Sequence, residues 1–281
     1  MILVFGQTGQ VARELARGAP DGTRFLSRAD ADLSDPAACA AAIHDAQPKA
    51  VINAAAYTAV DRAEEEEPLA TTINGDAPGA MARACADLGI PFVHVSTDYV
   101  FDGGPGAPWR PEAPTAPLNA YGRSKLVGEE AIRESGARHV ILRTAWVFSA
   151  HGANFVKTML RLAETRDALS VVGDQHGGPT PASGIAEALL TIARALQDGH
   201  AGGTYHYAGA PATTWAGFAR ETFARAGKDV TVTDIATEDY PTPAARPRDS
   251  RLDCGATETD FNIAPADWQR ALTDTIKELT Q

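Results

Sequence analysis

The sequence predicts an α/β protein in which a doubly wound parallel sheet carries a smaller C-terminal lobe. Short apolar runs rich in β-branched and aromatic residues recur at 2–5, 23–26, 50–53, 91–96 and 139–143, each followed by a longer stretch of helical periodicity. These runs are apolar throughout, as strands covered by helices on both faces must be. After residue 150 the rhythm changes. Helical patterns at 154–166 and 182–197 are separated by loop-rich stretches at 169–181 and 239–251, dense in Pro and Gly. The expected division is therefore a Rossmann-type domain of 1–150 with 182–202 and a lobe of 151–181 with 203–281.

Composition sets outer limits. The 281 residues are 44% apolar and 22% charged, enough for a sizeable core. No run approaches the ~18 apolar residues of a membrane span. The formal charge of −11 and the lack of a basic cluster argue against a nucleic-acid partner, because phosphate backbones are held by grouped Lys and Arg. Cys39, Cys85 and Cys254 have neither disulfide nor metal spacing and read as free thiols. The chain begins "MILVFG", without a charged leader, so a cytoplasmic location is expected.

The first unit, "MILVFGQTGQVARELAR", reads as strand, glycine turn and helix. Gly6 and Gly9 let the backbone turn tightly and approach a pyrophosphate on the helix N-terminus, and Ala12 is small enough for the third position. Gln10 and Val11 follow in the same turn. Strand 23–26 leads to Arg28, where an acidic residue would select the ribose hydroxyls of NAD. Arginine suits a 2′-phosphate and hence NADPH, although an ordinary solvated Arg fits too. In "DLSDP" Asp32 and Leu33 stand at the adenine edge, and Ser34 or Asp35 caps the alanine-rich helix at 37–46. Beyond strand 50–53, "PGAMARACADLG" is a helix with Pro78 near its start and Gly89 as its stop.

The fourth strand ends in "HVSTDYVF", and "NAYGRSKLVGEE" follows after a proline-rich stretch. Tyr121 and Lys125 lie one turn apart and share a helix face. A free phenol has a pKa of ~10 and is a sluggish proton donor near neutrality; an adjacent ammonium would stabilise its phenolate. Thr97 is then placed to hydrogen-bond an oxygen that gains charge, the alternative being a plain strand-end hydroxyl. The other polar features read structurally. Asn74 and Asn119 look like amides that brace loops, "EEEE" (64–67) like a solvated helix start, and His94 like a satisfied core residue. No histidines pair at metal-ligand spacing.

On these residues the chain resembles the extended short-chain dehydrogenase/reductase superfamily, whose catalytic Ser or Thr, Tyr and Lys are matched by Thr97, Tyr121 and Lys125. Within it, "FGQTGQV", "NAAAYTAVDRAE", "STDYVFDG", "PLNAYGRSKLVGE", "RTAWVF", "NFVKTMLRLA", "DQHGGPT" and "YPTPAARPRDSRLD" resemble, in order, the pattern of the dTDP-4-dehydrorhamnose reductase family. Ala12 and Val95 depart from it, at positions where Gly and an aromatic are frequent. The resemblance implies reduction of the C4 ketone of dTDP-4-dehydro-L-rhamnose to dTDP-L-rhamnose with NADPH or NADH. It also implies a dTDP-sugar partner, a homodimer, and a role in making a cell-envelope polysaccharide. Ala54, Ala55, Ala56, Tyr57, Thr58 and Val95 would join Tyr121 and Lys125 at the cofactor, and Asp98 and Trp146 would contact the sugar. Trp146, at the end of strand 139–144, fits a stacking or a core role. Arg246 and Arg251 fit the substrate diphosphate or surface ion pairs. Some members bind Mg2+ at a subunit interface through a glutamate matching Glu14. Two other readings fit the same fold: another nucleotide-sugar ketoreductase or epimerase, and a non-catalytic regulatory subunit of the methionine adenosyltransferase type.

Overall fold

The computed structural model describes residues 1–106 and 108–280. Its central sheet contains β1 (Ile2–Phe5), β2 (Arg24–Leu26), β3 (Ala50–Asn53), β4 (Phe92–Thr97), β5 (His139–Thr144) and a sixth strand, Gly203–His206. The order across the sheet is Gly203–His206, β5, β4, β3, β1, β2, and every pairing is parallel. Chain direction across the sheet reverses at β1, so the crevice between the carboxyl ends of β1 and β3 is a topological switch point, where open α/β sheets bind ligands.

The helices follow from local chemistry. α1 (Gln10–Gly18) begins at Gly9, which supplies no side-chain cap. α2 (Pro36–Ala46) starts with Pro in its first turn, and the Asp35 carboxylate accepts from Ala38 N. Ser34 does not cap it. A short α3 (Glu67–Thr71) runs through a π turn (Thr72–Asp76) into α4 (Ala77–Leu88), which stops at Gly89 in the left-handed region, φ 66°. α5 (Ala120–Glu134), α6 (Phe155–Leu162), α7 (Ala182–Gln197) and α8 (Trp215–Arg225) come next.

Although each strand is apolar on both faces, alternate residues serve different layers. Leu3, Phe5, Val51, Phe92 and Ile141 pack with Ile43, Met81 and Ile132. Val4, Ile52, Val93, Val140 and Leu142 pack with Leu15 and with Ile185, Leu189 and Ile192 of α7. This places 182–197 against the sheet. Residues 203–206 were expected in the lobe but pair with β5 as the sheet's edge.

The lobe holds more strand than 169–181 predicted. Ala168–Val172 pairs in parallel with Thr231–Ile235 and Thr180–Pro181 in parallel with Val147–Phe148, while His176–Gly177 pairs antiparallel with Thr213–Thr214. These strands are short and surrounded by Gly and Pro, so their period-2 pattern is too brief to outweigh the turn signals. All three cysteines are buried free thiols. No described helix is long and apolar enough to cross a membrane.

Candidate active site

A cleft of about 1090 Å³ runs from the Gly6–Val11 turn, past the ends of β3 and β4, to α5 and the lobe. That exceeds the ~300–1,000 Å³ typical of a single small-ligand site, and its length leaves room for a dinucleotide with a second ligand beyond it.

At the dinucleotide end Gly6 has φ 110°, and an added Cβ would lie 3.4 Å from the Ala54–Ala55 backbone. A side chain there would be strained and would crowd the neighbouring turn. A Cβ at Gly9 would meet nothing within 4 Å, so the backbone at the start of α1 is open to the cleft. Gln10 lines it too, but its Oε1 accepts from Asn154 Nδ2 at 2.9 Å and Ser149 Oγ at 3.3 Å, tying the glycine turn to the lobe. Arg28 and Asp32 form a 3.0 Å ion pair at the rim. The backbone N–H of Ser34, then Arg28, hold the Asp32 carboxyl below its ordinary range. Val11, Leu33, Ala54, Ala55, Ala56, Thr58 and Val95 complete this half. Tyr57 does not: its hydroxyl donates to Glu66 at 2.7 Å, and its ring packs by Ala63, Ala70 and Ala120.

The Tyr121 side chain is placed by the start of α5. Asn119 caps that helix by accepting from Gly122 N at 2.8 Å and donates to Ala245 O of the lobe at 2.8 Å. Glu64 accepts from Ala120 N at 2.8 Å. Position 122 admits only Gly, since a Cβ would sit 2.2 Å from the Tyr99 carbonyl. The acidic run is, as read, a solvated helix start, with Glu67 opening α3 and Glu64 and Glu65 exposed, but its side chains also brace their neighbours. Glu64 holds α5, Glu66 joins Tyr57 to Arg62, and Glu67 chelates Arg123 at 2.7 and 2.8 Å. Asn74 is the brace expected of it, accepting from Tyr57 N and donating to Tyr57 O and Ser124 Oγ.

Thr97 ends β4, and its hydroxyl donates to Asp98 Oδ1 at 3.0 Å. Burial pushes the Asp98 carboxyl up to about 6 against hydrogen bonds from Ser250 and Thr97. Its Oδ2 is buried without a hydrogen-bond partner, as is Thr144 Oγ1 on the adjacent strand. Two orphaned polar atoms lining one cleft are the mark of a site built for a polar ligand. Burial also raises the Tyr121 phenol to about 12, with hydrogen bonding to Thr97 opposing and Asp98 reinforcing. The expected tuning by an adjacent ammonium is not what the geometry gives: Lys125 Nζ donates to Val95 O at 2.7 Å and lies 3.0 Å from His94 Nε2. Tyr121 is accordingly held as a protonated acid.

The far wall is aromatic. Trp146 (φ 49°) stacks on Trp215 with centroids 3.6 Å apart and planes 9° from parallel, and Phe155 leans on Trp215 at 4.7 Å. Gly177 makes room, since a Cβ there would stand 2.5 Å from the Trp146 ring.

The model of the family described as the RmlD substrate binding domain matches residues 1–281. The chain belongs to this reductase family. It is 44% identical to a dTDP-4-dehydrorhamnose reductase of Sinorhizobium fredii over 96% of this chain and 94% of that one. The crystal structure of a dTDP-4-dehydrorhamnose reductase from Clostridium acetobutylicum superposes with a TM-score of 0.93, at 35% identity, covering 100% of this chain and 99% of the other. One from Bacillus anthracis, in complex with NADP, gives 0.91 at 31% identity, covering 99% and 98%.

Against the family expectation, Arg246 does not line the cleft of this RmlD-family chain. It pairs with Asp61 at 2.8 Å and donates to Ala244 O. Arg251 is likewise engaged, with Asp249 and Gly106 O. Both are the ion pairs that the sequence left open as the alternative. Glu14 pairs with Arg17 at 3.5 Å and His151 at 3.7 Å. No group of three or more metal-ligating side chains occurs among the described residues. Trp215, Phe155 and Thr144 line the cleft unforeseen. A Thr-Thr pair before Trp215 is the strand that pairs beneath His176–Gly177, a link invisible in linear sequence.

Proposed function

We infer that this chain reduces the C4 ketone of dTDP-4-dehydro-L-rhamnose to dTDP-L-rhamnose with NADPH, Tyr121 being the proton donor. The observation carrying this reading is that a protonated, part-buried phenol, a threonine hydroxyl and an unsatisfied carboxylate oxygen converge where β4 meets α5, in the same cleft as the glycine turn. Gly6, Gly9, Ala54–Ala56 and Val95 would hold a reduced nicotinamide dinucleotide, which would supply the hydride for the new C4–H bond. Tyr121 gives its proton to the ketone oxygen as that bond forms, so ketone, hydride and proton balance to a secondary alcohol and oxidised cofactor. Thr97 turns its hydroxyl from Asp98 to the same oxygen and stabilises the developing charge. Asp98 Oδ2 accepts a sugar hydroxyl, and the Trp146–Trp215 stack offers the sugar's apolar face a flat wall. Arg28 meets the 2′-phosphate of NADPH.

Absorbance of the reduced nicotinamide, followed with the dTDP-linked 4-keto sugar and with talose-forming and other 4-keto analogues beside it, tests the reading. Oxidation with the dTDP-4-keto-L-sugar is expected. Silence with every ketone alongside tight NADPH binding would overturn it in favour of a regulatory nucleotide-binding subunit. The family resemblance also carries a cytoplasmic homodimer, which light scattering and cell fractionation would read.

A further inference from the structure

Three of the four indoles are anchored by their own N–H. Trp109 donates to Asp249 O at 2.9 Å, Trp215 to Gln175 Oε1 at 3.2 Å and Trp268 to Pro211 O at 2.7 Å. Trp146 makes no such bond among the described residues, and its backbone sits at φ 49°, a conformation that a bulky residue keeps only where its surroundings enforce it. Packing therefore fixes this ring. One partner is Trp215, stacked at 3.6 Å and 9° from parallel. The other is Gly177, where the heavy atoms nearest to an added Cβ all belong to the Trp146 indole, at 2.5, 2.7 and 2.8 Å. The backbone of Gly177 is not left-handed, so it is the ring that excludes a side chain there. Both partners come from one small ladder. Thr213–Thr214 pairs antiparallel with His176–Gly177, and Trp215 follows at once, opening α8 where Thr214 accepts from Gly217 N at 3.0 Å. Gln175 leads into the facing strand. Besides accepting from Trp215 it donates to Thr237 Oγ1 at 3.2 Å, and that hydroxyl donates to Asp174 at 2.7 Å.

We propose that Trp215 is a positioning residue for stereochemistry: acting through Trp146, with Gly177 as the seat of that ring, it holds the sugar so that one face of the C4 ketone meets the hydride. The proposal rests on the reductase reading of the cleft and deepens it. Reduction of a ketone between two different carbons gives either of two C4 epimers, and the face presented decides which. The proton donor does not choose, because Tyr121 is set at the start of α5 by Asn119 and Glu64. The dinucleotide end is equally set, by the glycine turn between β1 and α1. The sugar is the movable reactant, and Trp146, Phe155 and Trp215 are the aromatic side of the cleft against which it lies. An apolar wall discriminates by shape, and a mismatch the size of one methylene is worth ~10–200-fold. A wall whose ring can tilt loses that discrimination.

Proton NMR of the sugar product tests this, by the proportion of the two C4 epimers made by the parent and by Trp215→Phe, Trp215→Leu and Gly177→Ala. The parent is expected to give one epimer. In Trp215→Leu, which removes the stack, and in Gly177→Ala, which drives a methyl into the ring, the minor epimer should rise about tenfold or more. Trp215→Phe keeps a flat ring and should show a smaller rise. Affinity for NADPH should hold in all three, because neither residue lies at the dinucleotide end. Fluorine NMR of protein labelled with fluorotryptophan gives one signal for each of the four indoles. The Trp146 signal, assigned with Trp146→Phe, should move in Trp215→Leu and in Gly177→Ala. Gly177→Ala carries the test alone if Trp215→Leu does not fold. A single epimer from every folded variant, a Trp146 signal that stays in place, or a parent that already makes both epimers in comparable amounts overturns the proposal. A purely structural role for Trp215 would lower Tm and leave the product single. Failure of the reductase assignment shows separately, as a parent silent with every ketone, whereas failure of the proposal shows in an active parent.

Discussion

Tyr121 is the residue on which the chemistry turns, and its environment separates two roles a phenol can play. Burial and the nearby Asp98 raise it to about 12, so it carries its proton at neutral pH but is a weaker acid than a free phenol, and its transfer depends on the negative charge that develops on the ketone oxygen. Tyr121→Phe should lower kcat by ~10²–10⁴-fold, the usual worth of a positioned proton donor, with NADPH affinity nearly unchanged by fluorescence titration. Near-native turnover in that variant would remove the role assigned to it. Arg28 makes the opposite case. It is exposed, with Asp32 its ion-pair partner, so its loss leaves the fold alone. Charge-assisted hydrogen bonds contribute ~1.5–3 kcal/mol, so Arg28→Ala should weaken NADPH binding roughly 10- to 100-fold while leaving NADH almost untouched. Equal losses for both cofactors would show that Arg28 does not meet the 2′-phosphate.

Among the elements, β4, α5 and β5 are fastened by one buried ion pair. Glu129 receives Arg143 at 2.6 and 2.8 Å, Ser96 at 2.6 Å and Arg133 at 2.6 Å, with Glu129 and Arg143 both essentially unexposed. Burial pushes the carboxyl up, and Arg143, Ser96 and Arg133 together outweigh it, so Glu129 remains ionised. Glu129→Leu strands the Arg143 guanidinium in the core and should cost ~3–5 kcal/mol by denaturant unfolding, whereas replacing both partners with apolar residues should cost much less. Equal costs would mean that shape, not charge, holds the strands. None of this network is visible in the sequence, because Glu129, Arg143 and Ser96 each look like ordinary polar residues until the register brings them together. What is legible there has a period or a spacing. The five strands, the capping Asp35, the stop at Gly89, the glycine turn and the Tyr121–Lys125 pair are all local signals. What escapes depends on long-range contact or brevity: the edge strand 203–206, the lobe's short strands, and Trp215 beneath Trp146. Tyr57 and Arg246 went astray for the same reason, since only the folded chain gives them Glu66 and Asp61 as partners.

For the molecule as a whole, the site is set against stability, and pH exposes the conflict. Asp98 is 3% exposed, with one carboxylate oxygen unpartnered, and its pKa is raised from 3.8 to about 6. A group whose folded pKa lies above its unfolded value binds more protons in the native state between the two, so its contribution is fully present below about 4 and is lost as pH rises through about 6. Above that, the ionised Asp98 carboxylate weakens the fold. A tenfold change in proton affinity corresponds to ~1.4 kcal/mol, so the penalty at pH 7.5 is on the order of 2–3 kcal/mol. Asp98→Asn removes the charge and keeps the shape. The variant should therefore have a higher Tm than the parent at pH 7.5, with the difference shrinking towards zero near pH 4, while its KM for the sugar nucleotide rises because Oδ2 no longer accepts as a carboxylate. A protein tuned for stability alone would carry the amide; this one keeps a charge at the end of β4 that only a ligand can satisfy. If calorimetry finds the Tm difference constant from pH 4 to 7.5, the carboxylate is not the destabilising group.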